Sequence, residues 1–338
     1  MFTNPRLFPG KLPPDLLALI LSAEPVGDSR VLAGPAVGWD AAVLDFGERY
    51  LVAKTDPITH ATDEIGWFAV HINANDIACL GATPRWFLAT LLLPGGSADE
   101  ALAERIFSDV RRGCRDLGVS LVGGHTEITF GLPRPVVVGA MLGEVERERL
   151  VTPKGARAGD ALVLTKGIPL EAVAIMARER RRDLERVFGR ERVAAAARFL
   201  YEPGISVVRD ARVACDAVPV HAMHDPTEGG LATAIHELAW ATGLGVRVEA
   251  ESIPVLEEGR LFCEHLGLDP LGAFASGSLL LCVDPADAGR LVDALKETGV
   301  PAQAIGEMRA AEEGVAIRRG GREDALPLFT MDEIGKIF

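Results

Sequence analysis

The chain has 338 residues, 48% of them hydrophobic, with 36 glycines and a formal net charge of −13. That length and apolar content suffice for two packed domains, whereas the acidic balance argues against a nucleic-acid partner, because phosphate-backbone readers work through clustered Lys and Arg. The five cysteines, Cys79, Cys114, Cys215, Cys263 and Cys282, are too scattered for structural zinc or a disulfide framework, and no apolar run is long enough to span a bilayer.

With no signal peptide in view, a cytoplasmic protein without a membrane partner is expected. Residues 13–21 read as a short helix with Pro13 and Pro14 at its start, where proline is tolerated. Residues 41–44 and 50–53 read as strands joined by the turn Asp45-Phe46-Gly47-Glu48. Helical spacing of Phe68, Ala69, Ile72, Ile77 and Leu80 predicts a helix over 67–80 that stops at Gly81. Strands follow at 86–93, at 120–122 (short and buried) and at 136–142, with a helix between Ser97-Ala98-Asp99-Glu100, which has capping-box spacing, and Leu117. Residues 151–160 are poor in large apolar side chains and rich in turn formers, dividing the chain into 1–150 and 151–338.

In the second half the expected elements are a strand at 161–165, a helix from about 169 and then a long helical stretch through 199, a strand at 218–223, a helix from Gly229-Gly230 to Trp240, strands at 245–248, 278–283 and 303–307, and a helix at 286–298. The basic cluster Arg178, Arg180, Arg181, Arg182 and Arg186 is interleaved with Glu179, Asp183 and Glu185 and reads as a solvated helix face. Without strict β-α-β alternation, an α+β layer is favoured over a doubly wound sheet.

Four stretches pair a carboxylate or imidazole with glycines or small residues: Gly38-Trp39-Asp40-Ala41-Ala42, Asn73-Ala74-Asn75-Asp76-Ile77-Ala78, Gly123-Gly124-His125-Thr126-Glu127 and His224-Asp225-Pro226-Thr227-Glu228-Gly229-Gly230. Acids placed beside apolar segments are costly to bury without a cation or hydrogen-bond donors, so these four places point to one shared polar site suited to a magnesium-bound polyphosphate. Taken alone, Asp40, and Asp56 just past its strand, are better explained by a turn or capping role; Asp76, on a mainly apolar helix, is harder to explain so. The glycines after Asp225 open a helix whose N-terminal amides could meet an anion, with capping by Thr227 as the competing explanation. The chain has no Walker loop and no G-x-G-x-x-G fingerprint, so a nucleotide site must be of another type.

Together these segments resemble the PurM-like superfamily of aminoimidazole ribonucleotide synthetase, selenophosphate synthetase, thiamine monophosphate kinase and the hydrogenase maturation protein HypE, with the HypE patterns nearest. The motifs that carry the resemblance are Gly38-Trp39-Asp40-Ala41-Ala42-Val43, Asn75-Asp76-Ile77-Ala78, Asp225-Pro226-Thr227-Glu228-Gly229-Gly230 and Gly267-Leu268-Asp269-Pro270-Leu271. The resemblance implies a two-domain α+β fold whose N-terminal sheet dimerises into a barrel-like core, with a C-terminal α/β sandwich, and an enzyme that uses ATP and Mg2+ to phosphorylate a small molecule. Carried over by motif, Asp40, Asp56, Asp76 and Asp225 become metal residues. Asp40, Asp56, Asn75, Gly123, Gly124, Thr227, Gly229 and Gly230 become nucleotide residues, and His125 and Glu127 catalytic ones. HypE ends in a cysteine that bears its substrate, whereas this sequence reads Met331-Asp332-Glu333-Ile334-Gly335-Lys336-Ile337-Phe338. It also has Gly124-His125-Thr126-Glu127 for Gly-Asp-Thr-Lys, and Ala275-Ser276-Gly277-Ser278 for Asn-Glu-Gly-Lys, which changes the substrate half of the site. Glu127 is therefore expected to replace the lost metal carboxylate, leaving His125 to contact substrate or exchange a proton. A maturation factor that binds ATP and docks a protein partner, and a kinase like thiamine monophosphate kinase, are the alternatives that the resemblance leaves.

Overall fold

The computed structural model describes residues 11–22, 26–59 and 63–338. Two sheets organise them. The first contains β1 (Val31–Ala33), β2 (Ala42–Asp45), β3 (Arg49–Ile58), β4 (Thr83–Pro94), β5 (Ser120–Thr129) and β6 (Val136–Glu146), in the order β1-β2-β3-β6-β4-β5, antiparallel except for the parallel β4·β5 edge. The β2–β3 hairpin forms at the expected turn, where Asp45 accepts a hydrogen bond from the Gly47 N–H at 2.9 Å.

α1 (Pro14–Leu21) precedes this sheet; α2 (Ile65–Cys79) and α3 (Glu100–Leu117) lie against it. α2 is buried along its whole length and has no polar face, as expected of a helix covered on every side. Gly139 and Gly143 of β6 leave the space it needs: a Cβ at Gly139 would stand 2.3 Å from Asn73 Nδ2, and one at Gly143 2.3 Å from Ile77 Cγ2. α3 is amphipathic, burying Ile106, Val110, Gly113 and Cys114. Its cap is Asp99 rather than Ser97, with the Asp99 carboxylate accepting from the Leu102 N–H at 2.7 Å.

The second sheet contains β7 (Ala161–Thr165), β8 (Val220–His224), β9 (Gly245–Glu249), β10 (Leu280–Val283), β11 (Ala302–Arg309), β12 (Val315–Arg319) and β13 (Arg322–Ala325), ordered β13-β12-β9-β11-β7-β10-β8. Its helices are α4 (Leu170–Glu179), α5 (Arg181–Phe188), α6 (Arg190–Ala196), α7 (Val208–Ala217), α8 (Gly230–Thr242), α9 (Glu257–Leu266) and α10 (Pro285–Glu297). Both faces of this sheet are covered. Leu162, Leu164, Leu280 and Cys282 pack with Leu231, Ile235 and Leu238 of α8, while the alternate residues Val163, Leu281 and Val283 pack with Ala211, Ala214, Leu291 and Leu295 of α7 and α10. Ala78 and Cys79 of α2 join that second cluster, so α2 is the helix on which the two domains meet.

Three expectations need correction here. The strand at 120–122 is neither short nor buried: β5 runs to Thr129 and is exposed, because it is an edge strand paired on one side only. The helical stretch from 169 to 199 is broken at Arg180 and Gly189 into α4, α5 and α6. In the arginine cluster, Arg180 and Arg181 do pair with Asp183 and Glu185 at 3.1 and 2.8 Å, but Arg178 turns inward, its Nε donating to the Ala197 carbonyl at 3.2 Å.

Candidate active site

Strand alternation sends Lys54 and Asp56 of β3 to one face of the sheet, toward α2. There Lys54 Nζ lies 3.1 Å from Asp76 Oδ2 and 3.6 Å from Asp56 Oδ2. One helical turn beyond Asp76, the Cys79 thiol donates to Asp225 Oδ1 at 3.4 Å, just past the end of β8. Asp40 arrives from the loop before β2. Gly38 presses that loop onto α8, since a Cβ there would stand 2.5 Å from the Glu237 carbonyl, and φ of 77° suits glycine. Asp40 Oδ1 then sits 2.8 Å from His224 Nδ1, whose Nε2 is 3.1 Å from Glu237 Oε2, and Lys11 Nζ completes the row 2.8 Å from Glu237.

These side chains, Cys79 apart, border a cavity of about 460 Å³ that divides by chemistry. Asp40, Lys54, Asp56, Asp76, Asp225 and Thr227 line its polar end; Leu17, Trp39, Trp240, Leu328 and Phe329 line its apolar end. The size and the mixture of an apolar wall with a few convergent polar groups are those of a small-ligand site. One ligand atom each from Asp40, Cys79 and Asp225 lie within 4.8 Å of one another, and Asp225 Oδ2 is buried without a hydrogen-bond partner among the described residues. Oxygen donors left unsatisfied in this way fit a hard divalent cation such as Mg2+.

Charge in the pocket is arranged in pairs. Burial disfavours the His224 imidazolium, yet Asp40 and Glu237 outweigh it and raise its pKa well above the ordinary histidine range. Burial also opposes the Glu237 carboxylate, but Lys11 and His224 bring its pKa down to about 2. Asp76 and Asp225 go the other way: burial and neighbouring carboxylates raise both pKa values, and the nearby cations only partly offset this. A bound cation would relieve that penalty.

Asp40, Asp56, Asp76, Asp225 and Thr227 thus meet at one cavity. The other expected residues do not. Asn75, one residue from Asp76, points about 100° away around the helix; it is fully buried, its Nδ2 donating to the Ile205 carbonyl at 2.8 Å and its Oδ1 accepting from the Val207 N–H at 2.9 Å. It latches the domains together instead of facing a nucleotide. Gly229 and Gly230 turn away from the cavity. The Gly229 N–H donates to Asp332 Oδ2 at 2.7 Å, and a Cβ on Gly230 would strike the Leu271 carbonyl at 2.5 Å. Gly123, Gly124, His125 and Glu127 all lie on the exposed edge strand β5, and none borders the cavity of its own chain. Gly124 has a packing reason, because a Cβ there would come within 2.0 Å of the Ala89 carbonyl on β4.

Sequence reading passed over Lys54, Cys79, His224 and Glu237 as site residues. Lys54 had a usable signal, since it alternates with Asp56 on a strand. Glu237 had none, because only the fold brings it beside His224.

Residues 38–145 match the AIR synthase related protein N-terminal domain family, and residues 157–318 match the C-terminal domain family. The carbamoyl dehydratase HypE of Cupriavidus necator is 31% identical over 276 residues, spanning 79% of this chain and 75% of that protein. The selenide, water dikinase of Pelobacter propionicus is 27% identical over 338 residues, spanning 89% and 90%. A hydrogenase maturation protein HypE solved in complex with ATP superposes with a TM-score of 0.71 at 24% identity, covering 95% of this chain and 92% of that one.

Proposed function

The chain belongs to the AIR synthase related protein family, and from that premise we propose that it is an ATP- and Mg2+-dependent enzyme that transfers the γ-phosphoryl group to an oxygen of a small, amide-type molecule. The observation that carries the proposal is the convergence of Asp40, Asp56, Asp76 and Asp225, from four separate segments, on a cavity with one apolar wall. Trp39, Trp240 and Phe329 offer that wall to the nucleoside, and the acidic end faces the phosphates. Asp40, Asp76 and Asp225, with Asp56 beside them, would hold magnesium, which when bound supplies charge neutralisation for the phosphates. His224, held between Glu237 and Asp40, fixes the Asp40 carboxylate. The Thr227 hydroxyl stands at the phosphate end to donate to a phosphate oxygen. The substrate oxygen attacks the γ-phosphorus, the bond to the β-γ bridging oxygen breaks, and ADP leaves. Where that oxygen belongs to a primary amide, the nitrogen releases its two protons to solvent as the C–O bond breaks, and departure of the oxygen as phosphate completes a dehydration to the nitrile.

The substrate in this reading is a diffusible molecule. Residues 332–334 are engaged elsewhere: Asp332 accepts from Gly229 and Ile334, Glu333 Oε2 accepts from the Asp269 N–H at 2.9 Å, and Ile334 is buried. The protein acts as a homodimer joined through β5, whose open edge carries exposed Val122, Ile128 and Phe130 and would bring His125 and Glu127 to the partner copy. The test is ADP release measured across a metabolite panel. Release that depends on one small molecule is expected; slow turnover indifferent to every molecule but stimulated by a maturation protein would replace the proposal with the assembly-factor reading.

A further inference from the structure

Lys54 is a cation already built into the acidic end of the cavity. Among the groups lining it, the Asp40 carboxylate has the His224 ring at 2.8 Å, and Glu237 has Lys11 at 2.8 Å and His224 at 3.1 Å. Among the described residues three lining carboxylates remain, Asp56, Asp76 and Asp225, and Lys54 is the described lining cation set among them, 3.1 Å from Asp76 and 3.6 Å from Asp56. Once a divalent ion holds all three in the carboxylate form, their formal balance with Lys54 is two negative charges, which that one ion neutralises.

The position of Lys54 follows from the fold. It alternates with Asp56 on β3, so both side chains face α2, and its own side chain is only 20% exposed. Burial opposes the ammonium, but Asp76, Asp56 and Asp40 outweigh it and keep Lys54 charged. An ammonium has three N–H donors; Asp76 at 3.1 Å is within reach of one and Asp56 at 3.6 Å is an ion-pair contact, so the group can still turn a donor toward a phosphate oxygen. A lysine that only neutralised a surface would not need to enter the cavity; this one stands where the phosphates of the proposed nucleotide would lie.

We propose that the Lys54 ammonium takes the place of a second divalent cation in the phosphate site, so that the protein binds a nucleoside triphosphate with one divalent ion. The inference rests on the Mg-ATP reading above, and its test separates the two. Mn2+ bound per chain is counted by electron paramagnetic resonance in the presence of a non-hydrolysable ATP analogue, for the wild type and for Lys54→Thr. One Mn2+ in the wild type and two in the variant are expected. The dependence of analogue affinity on Mn2+ concentration should steepen accordingly, from first to second order. Two ions in the wild type, or the same count in both proteins, would overturn the proposal.

If the analogue binds neither protein, the Mg-ATP reading fails, and Lys54 is still tested by melting the ligand-free proteins. The variant should melt several degrees below the wild type and recover on addition of Mn2+ alone. A variant that melts like the wild type, or whose deficit Mn2+ leaves unchanged, would refute the role of Lys54 as a resident cation.

Discussion

Replacing Asn75 with Ala separates a structural latch from a nucleotide contact at a position where sequence and structure disagree. The side chain is completely buried and makes two hydrogen bonds across the domain boundary, to the Ile205 carbonyl at 2.8 Å and from the Val207 N–H at 2.9 Å. Truncation leaves a buried acceptor and a buried donor without partners, at about 1–3 kcal/mol each. A loss of roughly 2–6 kcal/mol is therefore expected, a large share of the 5–15 kcal/mol typical of folded domains. Urea denaturation followed by tryptophan fluorescence reads this as a shift of the midpoint, and calorimetry with Mg-ATP on the folded variant reads affinity, expected to stay within about threefold of wild type, or under 1 kcal/mol. An unchanged midpoint with lost nucleotide affinity would refute the argument and restore Asn75 to the ligand.

Two further predictions concern pH and assembly. Burial, helped by Asp332 and Asp225 and moderated by Ser276, pushes the Glu171 carboxyl from 4.5 to about 7. The native protein then keeps a proton that the unfolded chain has already lost, so stability should fall as pH rises from about 4.5 to about 7, by up to roughly 3 kcal/mol from this group, and level off above. Denaturation across that range should show a shallower slope for Glu171→Gln than for wild type, with Asp332, pushed to about 7 chiefly by burial, sustaining the remainder; equal slopes would refute the assignment. Phe130 at the end of β5 is 97% exposed, and Phe130→Asp should shift sedimentation from dimer to monomer without lowering the melting temperature at low concentration. A variant that remains a dimer would exclude β5 as the contact.

Much of the layout was legible because period-2 and period-3.6 patterns are strong where one face is buried, as in β3, β6, α3 and α8. The failures have physical causes. α7 buries Ala211 and Ala214, residues too small to stand out against their polar neighbours, and one of those neighbours, Asp210, is itself buried against Lys166 at 3.0 Å. β12 and β13 were not anticipated, because their sequences, Val-Ala-Ile-Arg-Arg and Arg-Glu-Asp-Ala, keep little apolar alternation. β5 was misread because an exposed edge strand carries the same Val, Ile and Thr as a buried one. At the site, the aspartates were visible as acids beside glycine or apolar residues. Their partners were not, since Lys11, His224 and Glu237 meet only after α8 packs beneath the Gly38 loop. Adjacent helical residues point about 100° apart, so turning Asp76 to the cavity aims Asn75 at Ile205 and Val207.

The central claim is that carboxylates from distant segments hold a divalent ion against a triphosphate in one cavity. Calorimetric titration of Mg-ATP into Asp225→Asn, alongside wild type and with circular dichroism to verify the fold, tests it most directly. The account predicts at least a tenfold loss of affinity, about 1.4 kcal/mol, in a folded protein. Wild-type affinity in that variant would contradict it.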